Sequence, residues 1–323
     1  MDFHKSYVSA LLLTLFLLLA PLSAQAAGNG PQEHGALQVR GVNLTDQSGS
    51  PVVLHGMSTH GMQWFGQFAN AGAFHSLAAR GANLVRIAMY TEQDGYLANP
   101  GLKDAVFTAM DAAIAEDMYV ILDWHILNDS NPLTHEDAAS AFFAEAAQRY
   151  ANQPAVLYEI CNGPNGGTTG DEDIKPYAES VIPVIRQQSP NAVIIVGTPC
   201  WSQEIDKAAQ NPLDFSNVMY ACHFYAKTHG QWLRDRIDSV RAQGVPVFIS
   251  EWGTSAADGN GGIDAGASAE WLQFMADRGL SWANWSLCDK DEASAALNPG
   301  ALPNGGWSDD DLSPSGTLVF AHF

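Results

Sequence analysis

Eight short runs of apolar residues, separated by longer helix-like segments, are the feature that most limits the fold of this chain. The runs are Val52–Met57, Leu84–Met89, Tyr119–Trp124, Val156–Cys161, Val193–Thr198, Val218–Phe224, Val247–Glu251 and Ser281–Trp285. They are almost continuously apolar rather than alternating, which is typical of parallel strands covered on both faces. Amphipathic helical patterns lie between them, at Leu102–Asp117, Glu136–Tyr150, Ile174–Gln187, Gln231–Gln243 and Ala267–Arg278. This alternation predicts an α/β protein with a parallel sheet.

The number of units favours a closed barrel. Eight β/α units in just under 300 residues fit a (β/α)8 TIM barrel, which typically takes about 250 residues. An open, doubly wound sheet is the alternative, but no G-x-G-x-x-G motif follows the first run. Leu37–Arg40 and Val42–Leu44, with a turn at Asp46–Ser50, predict a short hairpin that plugs the N-terminal end of the barrel. No linker, repeat or second domain is visible, so we expect one domain over residues 27–323 and a monomer.

The first residues have the pattern of a secretory signal peptide. Lys5 precedes an apolar stretch, Ala10–Ala20, which is followed by the small-x-small site Ala24–Ala26. The apolar stretch is shorter than the roughly 20 residues of a membrane span, although an uncleaved N-terminal anchor is the alternative. We therefore expect residues 1–26 to be a signal peptide, with cleavage after Ala26 or Ala27, and a secreted or periplasmic protein without a membrane span.

Charge and cysteine content exclude two further classes of protein. Lys and Arg number 15 against 35 Asp and Glu, a net charge of −20, and no basic run interrupts the acidity, so nucleic acid is excluded as a partner. Four cysteines, Cys161, Cys200, Cys222 and Cys288, are too few for a disulfide scaffold in a chain of this length. A Cys200–Cys222 disulfide and buried free thiols both remain open.

Polar and aromatic residues collect where the predicted strands end. In a TIM barrel the active site lies at those ends, on the loops that follow the strands. The residues are His60, Trp64, Arg86, Tyr90, Asp123, His125, Glu159, Asn162, Trp201, His223, Tyr225, Glu251 and Trp285. A single His or Trp is more often part of the packing, but packing does not explain the same pattern at all eight ends. The histidines do not predict a metal site, because only His55 and His60 have ligand-like spacing and no H-E-x-x-H is present.

Several of these segments resemble one known family. HGMSTHGMQWFG, LVRIAMY, ILDWH, YEICNGPNG, CHFYA, ISEWGTS and WANWSLCDKDEASAAL, in this order over roughly residues 36–300, are similar to glycoside hydrolase family 5, in particular its bacterial endo-β-1,4-glucanase (cellulase) branch. The resemblance implies a (β/α)8 barrel, a retaining mechanism, β-1,4-glucan as substrate, and neither a metal nor an organic cofactor.

Retaining hydrolysis needs two carboxyl groups about 5–5.5 Å apart, one as nucleophile and one as acid/base. The resemblance puts the nucleophile, the Glu that ends strand seven, at Glu251. The acid/base is the Glu of an Asn-Glu-Pro motif that ends strand four. Here that motif reads Asn162-Gly163-Pro164, so the acid/base position is occupied by glycine.

No neighbouring carboxylate replaces the missing one. Glu159 lies four residues back, about 13 Å along an extended strand, and the family has this Glu beside its catalytic one. Asp123 and Glu204 belong to other loops and match no acid/base position. Because acid–base assistance is typically worth about 10²–10⁴-fold, we expect turnover on cellulose to be lower by at least that order. Three explanations of Gly163 remain open. It is an engineered or erroneous change, it is a natural loss that leaves a binding protein, or the Asn-Glu-Pro motif has been aligned at the wrong position.

The resemblance and the positions suggest roles for the other candidates. Asn162 suits a hydrogen bond to the sugar 2-hydroxyl, and Arg86 and Tyr225 are placed to donate to Glu251. The remaining candidates, expected to line the substrate cleft, are His60, Trp64, Tyr90, His125, Trp201, His223, Trp285 and Lys290. For Trp201 packing is an equal alternative, and for Lys290 a solvated surface position is.

Three other functions are alternatives to a hydrolase with a carboxylate nucleophile. A non-catalytic β-glucan-binding protein on the same barrel stays open, because Gly163 would be expected there too. A serine nucleophile is excluded because no G-x-S-x-G motif surrounds Ser250 or any other serine. An unrelated barrel enzyme such as an aldolase would need a Schiff-base lysine or a metal site at a strand end, and neither is visible.

Overall fold

The computed structural model describes residues 29–323, and the predicted signal peptide lies outside the described residues. The strands are β1 (Gln38–Arg40), β2 (Asn43–Thr45), β3 (His55–Thr59), β4 (Leu84–Tyr90), β5 (Tyr119–His125), β6 (Val156–Glu159), β7 (Ile194–Val196), β8 (Val218–Tyr225), β9 (Val247–Gly253) and β10 (Trp282–Leu287). Eight of them run parallel and close a barrel in the order β10-β3-β4-β5-β6-β7-β8-β9, which confirms the predicted (β/α)8 fold.

Helices surround the barrel and connect its strands. Those of seven residues or more span Ala71–Ala78, Leu102–Ala115, Glu136–Arg149, Lys175–Arg186, Gln231–Ala242, Ala265–Arg278 and Pro314–Phe320, and shorter ones span Pro31–His34, Met62–Phe65 and Ile205–Gln210. All five predicted helices are present, with ends within two residues of the expected ones. Gly279 ends one of them in the left-handed conformation, φ 58°, as a helix C-cap favours. Within residues 29–323, no helix combines the length and apolar character needed to cross a membrane.

The predicted hairpin is present, but its turn is not where the sequence suggested. β1 and β2 pair antiparallel through Arg40 and Asn43, so the connecting turn is Gly41–Val42. Asp46–Ser50 forms a separate turn after the hairpin, closed by the Asp46 N–H donating to the Ser50 carbonyl. Gly41 has φ 60°, a conformation that glycine adopts without strain, which explains the tight turn at this point.

The first barrel strand also begins later than predicted. Val52 donates its backbone N–H to Leu44 of the hairpin, and Val53 is partly exposed. The apolar residues 52–54 therefore lead from the hairpin into the barrel, and strand β3 starts at His55. Residues 52–54 and strand β3 both bury some of their side chains. The sequence therefore shows one continuous apolar run and not the boundary between the two segments.

Alternation along the strands decides which side chains enter the barrel. On β4, Val85, Ile87 and Met89 pack outward against the helices, while Leu84 belongs to an apolar cluster inside the lower barrel. Because successive side chains point to opposite faces, Arg86 also points into the barrel, one layer above Leu84. Apolar residues thus fill the N-terminal half of the barrel, and charged residues fill the half next to the strand ends.

The four cysteines are free, so the Cys200–Cys222 disulfide is not formed in this structure. Cys161, Cys222 and Cys288 are buried, as expected for free thiols next to strand ends. Cys200 is exposed, because it lies on the loop after β7 rather than against the barrel.

Candidate active site

A cavity of about 1000 Å³ lies at the C-terminal ends of the barrel strands. Gly163 and Glu251 both line it, so the two predicted catalytic positions face the same space. The predicted contact residues that line it with them are His60, Trp64, Tyr90, His125, Asn162, Trp201, His223, Tyr225, Trp285 and Lys290. Arg86 is the exception, because its side chain is fully buried beneath the cavity and cannot touch a ligand there directly.

Arg86 forms the centre of a buried charge network. Its Nε lies 2.6 Å from Oε2 of Glu159, and its Nη2 lies 2.9 Å from Oδ2 of Asp123. Its Nη1 lies 3.4 Å from Oε2 of Glu251 and donates to the Ser58 hydroxyl at 3.1 Å. One guanidinium thus faces three carboxylates, of which Asp123 and Glu159 are fully buried and Glu251 borders the cavity. Removing it would leave like charges together without compensation.

Glu251 is held as an ionised carboxylate. Tyr225 donates its hydroxyl to Oε1 of Glu251 at 2.9 Å, and Arg86 contacts the other oxygen. Burial acts to raise the pKa of Glu251, but the nearby His223 and Arg86 side chains, together with the Tyr225 hydroxyl, outweigh it and hold the pKa below its ordinary value. A buried carboxylate kept charged and fixed at both oxygens has the chemistry of a nucleophile.

A chain of hydrogen bonds orients Asn162. Its Oδ1 accepts from Arg86 Nη2 at 2.5 Å, and its Nδ2 donates to the Ile126 carbonyl at 3.2 Å. Nδ2 also lies 3.2 Å from His125 Nε2, while His125 Nδ1 lies 2.7 Å from Oδ2 of Asp123. The carboxylate accepts the Nδ1 proton, which leaves Nε2 as an acceptor for the amide. Asn162 therefore cannot rotate freely, and it lines the cavity in this fixed orientation.

Glu159 takes no part in the cavity surface. Its Oε1 accepts a hydrogen bond of 2.5 Å from the Ser250 hydroxyl, and His223 Nε2 lies 2.9 Å from that hydroxyl. Burial acts to raise the pKa of Glu159, but Arg86 and His223 lower it overall. Glu159 is thus a permanently charged partner that orients Arg86 and His223, which agrees with its exclusion as a replacement acid/base.

Burial also keeps two histidines of the cavity uncharged. Burial lowers the pKa of both His60 and His125 to about 3. The positive charge of Lys290 adds to the effect at His60, and that of Arg86 adds to it at His125. His125 stacks on Tyr90 at 4.1 Å and on Trp285 at 5.3 Å between ring centroids. At neutral pH these rings therefore form an uncharged wall that can accept and donate hydrogen bonds.

Three tryptophans differ in how much of their surface they offer to the cavity. Trp285 is 7% exposed, whereas Trp64 is 40% and Trp201 is 51% exposed. Packing alone therefore does not account for Trp201, which is as exposed as a ligand-stacking side chain would be. Flat apolar faces of this kind suit the faces of sugar rings.

Gly163 leaves room for a side chain. A Cβ placed on Gly163 would lie 3.7 Å from Cα and 3.9 Å from Cδ1 of Trp201, which is ordinary van der Waals contact. Within residues 29–323, no other heavy atom comes within 4 Å of that position apart from the glycine itself and its chain neighbours. The backbone at Gly163 is therefore compatible with a glutamate.

A left-handed turn next to Gly163 presents Trp201. Cys200, Trp201 and Ser202 have φ values of 57°, 53° and 57°, a conformation that costs roughly 1–2 kcal/mol per non-glycine residue. Two hydrogen bonds hold it: Trp201 N–H donates to the Pro164 carbonyl at 2.9 Å, and the buried Ser202 hydroxyl donates to the Asn162 carbonyl at 2.8 Å. These bonds flank Gly163 on both sides and tie it to Trp201.

A charged pair, Lys290 and Glu292, lies at the other end of the cavity, and only Lys290 was predicted from the sequence. Lys290 Nζ lies 2.5 Å from Oε2 of Glu292 and 3.4 Å from His60 Nε2. Glu292 was missed although it lies two residues after Lys290 on the same loop. Gln203, His229 and Asp258 also line the cavity and were missed, because they lie in loops without a periodic pattern. Among the described residues, no group of three or more His, Cys, Asp or Glu side chains is arranged to hold a metal ion.

Fold and site together define a (β/α)8-barrel protein with a carboxylate-centred, tryptophan-lined cleft at the strand ends. Residues 45–291 match the family model for cellulase, glycosyl hydrolase family 5, and the chain belongs to that family. This confirms the resemblance drawn from the sequence.

Two curated relatives cover most of the chain. An endoglucanase of Clostridium saccharobutylicum is 48% identical over 316 residues, which is 97% of this chain and 70% of that protein. Endoglucanase 5 of Pectobacterium carotovorum subsp. carotovorum is 50% identical over 300 residues, which is 92% of this chain but 59% of the relative. The relatives are therefore longer than the part that this chain matches.

Solved structures agree with the fold. The catalytic domain of Thermobifida fusca endoglucanase Cel5A (E5), in complex with cellotetraose, superposes with a TM-score of 0.86 at 40% identity and covers 90% of this chain and 98% of that one. The alkaline cellulase K catalytic domain gives the same TM-score of 0.86 at 36% identity, with 90% and 94% covered.

Proposed function

We propose that this chain carries the machinery of a retaining endo-β-1,4-glucanase, with Glu251 as nucleophile, and that its activity is strongly reduced because Gly163 occupies the acid/base position. The observation that supports this most is the setting of Glu251, which is ionised, fixed by Tyr225 and Arg86, and faces a cleft lined by tryptophans. The relatives are named endoglucanases, which supports β-1,4-glucan as the substrate.

In the first chemical step, a Glu251 oxygen attacks the anomeric carbon and the bond to the leaving oxygen breaks. The product is a glycosyl ester of Glu251, and the leaving sugar needs a proton on its oxygen. In the second step, water attacks the same carbon and must lose a proton as Glu251 is released. Two inversions give net retention. Both proton transfers fall to the residue at position 163, and glycine can perform neither.

The surrounding residues take the binding roles. Asn162 donates a hydrogen bond from Nδ2 to the sugar 2-hydroxyl. Both protons of Nδ2 already face acceptors, the Ile126 carbonyl and His125 Nε2. The sugar hydroxyl therefore replaces His125 as the acceptor of one of them. His125 and His223 then offer ring nitrogens to the same sugar. Arg86 acts indirectly, by holding Asn162 and Glu251 in place.

The remaining contacts extend the cleft in both directions. Trp64, Tyr90 and Trp285 provide stacking surface on one side, and His60 and Lys290 provide polar contacts there. Trp201 provides a stacking surface beside Gly163.

We also propose that the protein is exported. The support is the sequence of residues 1–26, with its cationic start, apolar stretch and small-x-small site. Amino-terminal sequencing of protein recovered from the medium or periplasm of the producing cells would find the new terminus at Ala27 or Gly28. A mature chain that still begins at Met1 would contradict export by cleavage.

Azide should restore turnover of an activated substrate and so tests the proposed function. With 2,4-dinitrophenyl β-cellobioside the leaving phenolate needs no proton, so Glu251 forms the glycosyl ester unaided. Azide then attacks the anomeric carbon without needing a base, expels the Glu251 carboxylate and gives β-cellobiosyl azide. We expect a roughly 10–100-fold increase in phenolate release and formation of the azide, detected by mass spectrometry.

The control is Glu251→Gln, which should abolish both phenolate release and azide product. A second candidate function is a non-catalytic β-glucan-binding protein, which the glycine at position 163 favours. The absence of any glycosyl azide from the unmodified chain would support it. In that case cello-oligosaccharides would still bind and remain uncleaved. Azide product of inverted, α configuration would contradict the retaining assignment.

The pH dependence should lack its alkaline limb. In a retaining glycosidase that limb reports loss of the acid/base proton, and Gly163 has none to lose. On carboxymethyl-cellulose, whose leaving sugar needs a proton, we expect no loss of rate from this source in the unmodified chain, whereas Gly163→Glu should introduce one. The acid limb should persist in both proteins. Because the pKa of Glu251 is held below its ordinary value, the nucleophile stays ionised to a lower pH than an ordinary glutamate would. An unchanged profile after Gly163→Glu would contradict the assignment of position 163.

A further inference from the structure

Strand β9 turns two consecutive side chains, Ser250 and Glu251, towards the inside of the barrel, where regular alternation allows only one. Its pairing with β8 shows the cause. Two steps along β8, from Ala221 to His223, correspond to three steps along β9, from Phe248 to Glu251. The extra residue is a β-bulge, which bends a strand and re-aims the side chains next to it. Ser250 and Glu251 therefore both belong to the charged half of the barrel interior.

The neighbouring residues agree with this arrangement. Phe248 lies in the apolar cluster inside the barrel, while Ile249 and Trp252 lie in the cluster outside it, against the helices. Between the two outward residues, Ser250 is fully buried. Because successive residues of a regular strand point to opposite faces, either Ser250 or Glu251 would point outward without the bulge.

The Ser250 hydroxyl lies between a carboxylate and a histidine, and it determines which nitrogen of the histidine carries a proton. Its oxygen lies 2.5 Å from Oε1 of Glu159 and 2.9 Å from Nε2 of His223. Arg86 and His223 keep the pKa of Glu159 low, so this carboxylate is ionised and can only accept a hydrogen bond. The single hydroxyl proton therefore points to Glu159. The hydroxyl oxygen must then accept from His223, and Nε2 carries the ring proton.

The other ring nitrogen of His223 is thereby left as an acceptor. In a neutral imidazole only one nitrogen carries a proton, so Nδ1 has a free lone pair. It forms no hydrogen bond with any other described residue, and the His223 side chain lines the cavity together with Glu251. A ligand group that satisfies Nδ1 must be a donor, and a sugar hydroxyl is one.

His223 needs the serine because the carboxylate is out of its direct reach. Nε2 lies 3.6 Å from Oε1 of Glu159, which is too far for a hydrogen bond. The histidine on the neighbouring part of the cavity is fixed without a bridge, since His125 Nδ1 lies 2.7 Å from Oδ2 of Asp123. Ser250 thus gives His223 the fixed orientation that Asp123 gives His125 directly.

We infer that Ser250 is a positioning residue, which fixes His223 in its Nε2-protonated form so that Nδ1 accepts a hydrogen bond from a hydroxyl of the glucose unit held beside Glu251. The inference rests on the proposed function, which supplies that sugar. It assigns a task to a buried serine that contacts neither the substrate nor the reacting atoms.

Histidine NMR tests the fixed proton position directly. In the unmodified chain, labelled with ¹⁵N at histidine and held at a pH where the His223 ring is neutral, Nε2 should have the chemical shift of a protonated nitrogen and Nδ1 that of an unprotonated one. His223→Asn identifies these signals by their loss. Cellotriose remains intact without an acid/base residue, and its addition should move the Nδ1 signal while Nε2 stays protonated.

Ser250→Ala should disturb both the proton position and the binding of sugar. Without the bridging hydroxyl, Nε2 loses its acceptor and the ring proton can move to Nδ1, which then cannot accept. We expect the two nitrogen signals to move towards each other. The affinity for cellotriose, measured by calorimetry, should fall about three- to tenfold, the usual contribution of one hydrogen bond. Ser250→Thr keeps a hydroxyl and should return both values towards those of the unmodified chain.

Ser281→Ala is the matched control. It also removes a buried serine hydroxyl, one that accepts the Leu54 N–H at 2.9 Å at the N-terminal end of the barrel, and it should change neither the His223 signals nor the affinity. If Ser250→Ala does not fold, the signals of the unmodified chain and of Ser250→Thr still decide. A proton on Nδ1 in the unmodified chain, or unchanged signals or affinity in Ser250→Ala, would overturn the inference and leave the proposed function standing. Failure of the unmodified chain to bind cellotriose would overturn the proposed function itself.

Discussion

Gly163→Glu should raise the rate of hydrolysis of carboxymethyl-cellulose by about 10²–10⁴-fold, the usual contribution of acid–base assistance. The new carboxyl would protonate the leaving sugar and later take the proton of the attacking water. The cellulose chain has a poor leaving group, so both transfers limit the rate in the unmodified chain. Reducing ends released from the polymer measure the effect.

The structure indicates that the backbone at Gly163 accepts a β-carbon without rearrangement. Among the described residues outside its own chain neighbours, a Cβ at Gly163 meets only Trp201, at 3.7 and 3.9 Å. The hydrogen bonds at Asn162 and Pro164 already fix the backbone on both sides. The negative charge of Glu251 across the cavity would raise the pKa of the new carboxyl. It would therefore hold a proton in the free enzyme, as a general acid requires.

Gly163→Gln is the control that separates proton transfer from cavity filling. Glutamine occupies the same volume and adds the same contact with Trp201, but it carries no transferable proton. Its rate on carboxymethyl-cellulose should stay near that of the unmodified chain. A similar gain with Gln and Glu would show that packing, rather than acid–base chemistry, is what position 163 lacks. No gain with Glu would refute the mechanistic assignment.

The fold and most of the cavity lining could be predicted because they depend on repeated local patterns. Each barrel strand is buried on both faces and therefore gives a continuous apolar run, and the residue after the run lies at the active-site end. Strands β4 and β5 match their runs closely for this reason. Strand β3 does not, because Val52 and Leu54 are buried like strand residues although Val52 bonds to the hairpin rather than to a barrel strand.

The loop conformations could not be predicted, because tertiary contacts impose them. Nothing in the segment Pro199–Ser202 favours a left-handed turn, and Cys and Trp are poor residues for it. The hydrogen bonds to Asn162 and Pro164, from a different loop, stabilise it instead. The same turn explains why Cys200 is exposed and why Trp201 faces the cavity. The role of Arg86 also depends on tertiary contacts and was only partly predicted. The sequence placed Arg86 near Glu251 but did not reveal Asp123 as a further partner.

Arg86→Ala should lower the free energy of unfolding by about 3–5 kcal/mol, the usual effect of removing one partner from a buried ion pair. Asp123, Glu159 and Glu251 would lose the guanidinium that lies between them, and Asn162 would lose the donor to its Oδ1. Urea unfolding followed by tryptophan fluorescence measures the change.

Arg149→Ala provides the matched control. Arg149 pairs with Asp111 at 2.7 Å, but both side chains are about half exposed. Loss of an exposed pair should change the free energy of unfolding by no more than about 1 kcal/mol. Equal effects in the two variants would mean that the network around Arg86 contributes no more than a surface ion pair.

The deficit of Arg86→Ala should also depend on pH, in a direction that the network dictates. Burial already raises the pKa of Asp123, and Arg86 opposes that rise, while Arg86 helps to hold the pKa of Glu159 low. Without Arg86 both folded-state values rise above those of the unfolded chain. At neutral pH the two carboxylates then destabilise the fold. Folding must either bury them as uncompensated charges or make them take up protons, and both cost free energy. Below the unfolded-state values of about 4, they are protonated in both states and this contribution disappears. The stability difference between the two proteins should therefore shrink as the pH falls from 7 towards 4. A constant difference would show that lost packing, and not uncompensated charge, accounts for the effect.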